Sequence, residues 1–164
     1  MKYKKPGSLL GWGLILALAI NLTMWVPGAR AAGPMEGVKG LIEQVQTILQ
    51  TNSAKSQRLE LIEKLTAKHL DFQEMAKRCL GSTWGTLSAG QKTEFVDLFS
   101  QLLKASYANH LDDFAKTKVN YQGETCEGNN AEVRIAVIRP NDRIQVKFSL
   151  LQKPEGWMIY DMKA

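Results

Sequence analysis

Few residues in this 164-residue chain have types that can do chemistry: His69 and His110, Cys79 and Cys126, and the acidic pair Asp112-Asp113. Histidine titrates near neutrality and is the commonest metal ligand, but a site also needs spacing. Neither histidine stands in an H-x-x-x-H or H-E-x-x-H arrangement. Cys79 with His110 as a nucleophile–base pair has no local signature behind it. Asp112-Asp113 reads as a solvated helix face. The sequence has no phosphate loop, no G-x-S-x-G and no G-x-G-x-x-G. It therefore assigns no catalytic residue, no metal and no cofactor, and the chain reads as a non-enzyme. The two cysteines admit two readings. In an oxidising compartment they form a disulfide closing a long loop, a bridge contributing about 4 kcal/mol in the chain-entropy picture. Otherwise they are separate thiols, with Cys79 a small buried hydrophobe on an apolar helical face.

The elements that would position any site begin after an export signal. Lys2, Lys4 and Lys5 precede an apolar run from Leu9 to about Val26, Pro27-Gly28 breaks it, and Ala29-Arg30-Ala31 supplies a small-x-small cleavage pattern. Residues 1–31 are expected to be a cleavable signal peptide and residues 32–164 a single domain outside the cytoplasm. The whole chain has 21 basic and 16 acidic residues, for +5. The leader holds four of the cations and no acid, so the remainder carries only +1. That balance argues against nucleic acid, which needs a basic face. A chain of this length buries about two thirds of its unfolded surface, enough to fold without staples.

Up to about Phe114 the apolar periodicity is helical. A first helix over about 35–50 has Val38, Leu41, Ile42, Val45, Ile48 and Leu49 on one face. A second runs over about 54–69 among many charges. Asp71 has the character of an N-cap with Glu74 as its reciprocal partner, opening a short helix that Gly81 stops. Ser88 and Gln91 form a capping box for the longest helix. Its Phe95, Leu98, Phe99, Leu102, Leu103, Tyr107, Leu111 and Phe114 recur for about seven turns. After Thr117 the period becomes two. Strands over 119–125, 131–138, 143–151 and 157–162 are separated by turn residues: Glu127-Gly128-Asn129-Asn130, Pro140-Asn141-Asp142 and Pro154-Glu155-Gly156. Such short connections make an antiparallel meander, apolar on one face, and helices followed by strands give an α+β fold. The long Phe and Leu stripe either interdigitates with the sheet as core or, if helices and sheet stand apart, lines a dry cavity. Periodicity does not separate the two.

The order of residues goes further. Asp71-Phe72, Met75-Ala76, Leu80-Gly81 and Trp84, then Ser88, Gln91, Phe95, Phe99, Leu102-Leu103, Tyr107 and Leu111, resemble the MlaC family, also called toluene-tolerance or auxiliary transport proteins. Gly156-Trp157-Met158-Ile159-Tyr160-Asp161-Met162 is similar to that family's G-W-k-v-Y-D-v strand. The resemblance covers about 70–162. It implies a monomeric periplasmic phospholipid carrier that passes lipid between an outer-membrane lipoprotein complex and an inner-membrane ABC transporter, maintaining outer-membrane lipid asymmetry without making or breaking a bond. It also implies a helical layer on a curved four-stranded antiparallel sheet with acyl chains in an apolar cavity between them. On this view Phe95, Phe99, Leu102, Val133, Ile135, Val146 and Phe148 line the lipid slot. The competing readings are a hopanoid-associated lipid accessory of the same family and a periplasmic interaction domain that holds no ligand. In the family the Y-D strand continues into a C-terminal helix. Here the sequence stops at Met162-Lys163-Ala164, so that helix is expected to be absent and apolar surface beside the slot exposed.

Overall fold

The computed structural model describes residues 32–164 apart from Asn52, Asn109, His110 and the side chain of Asp112. The signal peptide expected over 1–31 and the histidine at 110 lie outside the described residues. Helix α1 spans Pro34–Leu49, with proline in its first turn, where the missing N–H costs nothing, and Glu36 facing the positive end of the helix. The stripe read from the sequence is its buried face: Val38, Leu41, Ile42, Val45 and Leu49. Helix α2, Lys55–Thr66, buries only Ile62, and its charged face carries the Glu60–Lys64 pair at 2.6 Å.

Helix α3, Phe72–Leu80, begins as the sequence predicts: Asp71 Oδ1 accepts a hydrogen bond from Glu74 N at 3.0 Å. The reciprocal half of the box does not form, because the Glu74 carboxylate turns to Arg78 and Lys77 instead. Gly81 ends the helix at φ +55°, a conformation that disfavours any residue with a Cβ. A 3-10 helix, Gly81–Thr86, leads to the second cap. There Ser88 N donates to Gln91 Oε1 at 2.9 Å and Gln91 N donates to Ser88 Oγ at 3.3 Å. Helix α4 then covers Ala89–Ala108, and the helical segment Leu111–Phe114 is labelled α5.

Strands β1 (Lys118–Glu127), β2 (Asn130–Ile138), β3 (Arg143–Lys153) and β4 (Gly156–Lys163) form one antiparallel sheet in the order β1-β2-β3-β4. The β2–β3 register is regular, setting Val133 opposite Phe148 and Ile135 opposite Val146. The outer pairs each contain a bulge. Gln122 is the extra residue on β1, between Tyr121 and Gly123, and Tyr160 is the extra residue on β4, between Ile159 and Asp161. Bulges bend a strand and sharpen its twist, so the sheet curves. The His69–Asp71 segment lies beside β4, with Ile159 N donating to His69 O and Asp71 N donating to Ile159 O, both at 2.8 Å. That covers an edge that would otherwise present unpaired backbone groups.

The described residues belong to one compact unit. Its core joins α1 to the apolar face of the sheet through Val38, Val133, Ile135, Leu150 and Ile159, all at most 2% exposed. Polar ties hold the helix down at both ends. Met35 N donates to Glu124 Oε2 at 2.7 Å, Gln46 Nε2 to Thr117 O at 2.9 Å, and Gln50 Nε2 to Ala115 O at 3.1 Å. Helix α4 is a different case. None of its residues is buried, and its packing partner is α3. The α4 part of the stripe is therefore not buried core, whereas Leu111 and Phe114 of α5 pack against the core.

Candidate functional site

The apolar face of the sheet is shared. Helix α1 covers β1 and β2, whereas the β3–β4 end, from Phe148 to Met162, looks into a cavity of about 1000 Å³. Residues of five helices complete it. Leu41, Ile42 and Val45 of α1 and Leu59 and Ile62 of α2 form one side, and Phe72 and Met75 of α3 form another. Phe99, Leu103, Tyr107 and Ala108 of α4 close it from above, with Leu111 and Phe114 of α5 beside them. Because α4 stands off the core, its large side chains bound an open space and do not fill it. Native cores pack to crystal-like density, so a void of this size beneath aromatic and leucine side chains is a binding feature.

The charged residues in the lining are Glu63, Arg78, Lys104, Asp161 and Lys163. Lys104 Nζ lies 2.5 Å from Glu63 Oε1, joining α4 to α2. Lys163 Nζ lies 3.6 Å from Asp161 Oδ2. Arg78 sits over the Tyr160 ring, its guanidinium carbon 3.8 Å from the centroid, and its Nε donates to Glu74 Oε1 at 2.8 Å. Behind the α3 wall is Asp71, the buried charged side chain among the described residues, which is 7% exposed and ion-paired through Oδ2 with Lys153. That hydrogen bond to the carboxylate raises the Lys153 pKa against the opposing effect of burial.

The arrangement has no catalytic geometry among the described residues. His69 is half-buried and turns Nδ1 back to the end of α2, 3.0 Å from the Leu65 carbonyl. No group of three or more His, Cys, Asp or Glu among the described residues could hold a metal ion. No described helix is long and apolar enough to cross a membrane. What the cavity can do is shield apolar surface from water.

Of the seven residues expected to line a slot, Phe99 and Phe148 do so. Phe95 stands one layer out, its ring stacked on Phe99 with centroids 6.0 Å apart. Val133, Ile135 and Val146 are on the correct face of the sheet but belong to the packed core with α1. Leu102 points outward and is 66% exposed. Cys79 and Cys126 are both free and both exposed, on α3 and at the end of β1, so Cys79 is not a buried hydrophobe and lies instead at the cavity wall. Phe72 and Met75, three residues apart on the apolar face of α3, join the lining although they are not among the seven expected residues. Tyr160 could not be found from alternation, because the bulge breaks it.

Residues 39–164 match the family model described as "MlaC protein". A curated relative, the intermembrane phospholipid transport system binding protein MlaC of Haemophilus influenzae, is 25% identical over 100 residues. The match covers 57% of this chain and 47% of that protein, so the chain spans about half the length of the curated relative it matches. Among solved structures, a phospholipid-binding protein from Ralstonia solanacearum, determined in complex with a phospholipid, has a similar fold. It superposes with a TM-score of 0.71 over 80% of this chain and 78% of its own, at 22% identity.

Proposed function

Because this chain belongs to the MlaC family, through residues 39–164, we propose that it is a periplasmic phospholipid carrier. It takes a phospholipid into the cavity with the acyl chains under α4, and it passes that lipid between an outer-membrane lipoprotein complex and an inner-membrane ABC transporter. The leader over 1–31 delivers it to the periplasm. The observation that carries the reading is the cavity of about 1000 Å³ under a long helix with no buried residue. Taking acyl chains out of water is worth about 0.8 kcal/mol for each CH₂, so an unshielded lipid does not cross an aqueous space. The chains leave one apolar medium for another, so the exchange between bilayer and cavity is nearly balanced and the cargo can be released. Such a task needs no catalytic group, and the headgroup can stay at the wet, charged rim.

The test is to express the chain with its leader in a double-membrane bacterium, purify it from the periplasm and extract it for lipid analysis. A mature protein beginning at Ala32 with about one phospholipid per chain is expected. A folded, exported protein that contains no lipid and takes none from phospholipid vesicles would overturn the reading.

A further inference from the structure

We propose that Arg78, stacked on Tyr160 at the cavity rim, receives the phosphodiester of the bound lipid's headgroup; this rests on the carrier reading above. Of the five charged side chains in the lining, four pair among themselves, Lys104 with Glu63 and Lys163 with Asp161. Arg78 is the remaining cation. Its carboxylate partner, Glu74, is not part of the lining and engages only the Nε edge, at 2.8 Å. The outer nitrogens Nη1 and Nη2 have no hydrogen-bond partner among the described residues. A guanidinium presents its donors as a planar fork that matches two oxygens of a phosphate. Here that fork is already oriented, because Glu74 fixes one edge and the Tyr160 ring, 3.8 Å away, fixes the plane.

Two independent features of the fold build this arrangement. On α3 the lining residues Phe72, Met75 and Arg78 recur every three positions, so they lie one above another on a single helix face. The face passes from half-buried apolar side chains to a half-exposed cation, the order that an acyl chain followed by a headgroup requires. On β4 the bulge pairs Ser149 with Asp161 and Leu150 with Ile159, which leaves Tyr160 as the extra residue. Bulges commonly re-aim a side chain, and this one lets Tyr160 join the lining although its neighbour Ile159 also faces inward. A regular strand would send Tyr160 to the opposite face.

The experiment compares lipid choice between variants. The full chain, stripped of lipid, is incubated with vesicles containing equal amounts of dioleoylphosphatidylglycerol and dioleoylglycerol, which share their acyl chains and differ in the phosphate. Native mass spectrometry reads the ratio taken up. Arg78→Met should lower the phospholipid-to-diacylglycerol ratio about tenfold, the scale of one charge-assisted hydrogen-bonding contact at a half-exposed site. Arg78→Lys, which keeps the charge and loses the fork, should fall between the two and provides a test if the methionine variant does not fold. An unchanged ratio in both Arg78 variants, with lipid still bound, overturns this assignment and leaves the carrier reading standing. Uptake of neither lipid by the wild type overturns both. A titration with inorganic phosphate alone separates a headgroup from a free anion: saturable phosphate binding without lipid, lost in Arg78→Met, would assign the fork to free phosphate and overturn the proposal.

Discussion

Lys153→Met is the perturbation with the most to say about how the α3 wall is held. The substitution keeps the aliphatic stem and removes the ammonium. Asp71 is 7% exposed, and its Oδ1 is occupied by the N-cap bond to Glu74 N. Its Oδ2 is enclosed by protein, with Lys153 Nζ as its ion-pair partner. Deleting that partner leaves one buried carboxylate oxygen uncompensated. A fully buried pair broken this way costs about 3–5 kcal/mol. The Lys153 side chain is 36% exposed, so water reaches the gap and the expected loss is nearer 2 kcal/mol. For a domain of this size that is a fall in Tm of about 6–8 °C. Adding Asp71→Asn removes the charge while keeping an oxygen for the cap, so the double variant should recover more than half of the loss. The sign with pH is also fixed. The folded-state pKa of Lys153 is raised, chiefly by the hydrogen bond to Asp71. Its contribution is therefore complete below the ordinary lysine pKa of about 10.4 and is lost as pH rises through the raised value. Thermal unfolding followed by circular dichroism at pH 7 and between pH 9 and 11.5 measures both effects. A Lys153→Met protein within 1 °C of the wild type at pH 7, or a gap that stays constant through the alkaline range, would refute the reasoning.

Three further outcomes follow from the same structure. Leu150→Ala, at a core position 1% exposed, should cost about 2–5 kcal/mol in urea unfolding, whereas Leu102→Ala, 66% exposed, should stay within about 0.5 kcal/mol; equal effects would contradict the division between core and outward stripe. Ser88→Ala removes half of the cap on α4 and should cost about 1 kcal/mol, with Gln91→Ala costing less; a neutral Ser88→Ala would show that the cap bond does not hold the helix start. Both cysteines should react with a maleimide in the native state, and lipid loading should slow Cys79, which lines the cavity, without slowing Cys126; equal protection of the two would argue against a ligand beside α3.

Much of the fold was legible because its punctuation is local. Asp71, Gly81, Ser88 and Gln91 act through backbone groups four residues away or fewer, and those distances are fixed by helix geometry whatever the rest of the chain does. The four strands followed from period two and from turns at Gly128 and Gly156 in the same way. The division of labour among apolar residues was not legible. Val133 and Phe148 face each other across β2 and β3 with the same polarity. Val133 is sealed in the core with α1, whereas Phe148 packs against the edge of that core and also faces the cavity. Periodicity reports which face is apolar and nothing about what stands over it. The same limit hid the outward turn of Leu102 and the role of Lys153, whose partner is distant in sequence. The bulge at Tyr160 was hidden for a different reason: alternation assumes one residue per step on both strands, and β4 spends an extra one.

The central claim is that acyl chains lie between α4 and the β3–β4 end of the sheet. Its most direct test replaces single residues with a benzophenone-bearing phenylalanine in cells, followed by irradiation and intact-mass analysis of the purified chain. At Phe99 and Phe148 a covalent gain of one phospholipid is expected, and at Leu102, three residues on from Phe99 but facing outward, none is expected. No lipid adduct at Phe99 and Phe148, or an adduct of equal yield at Leu102, would contradict it.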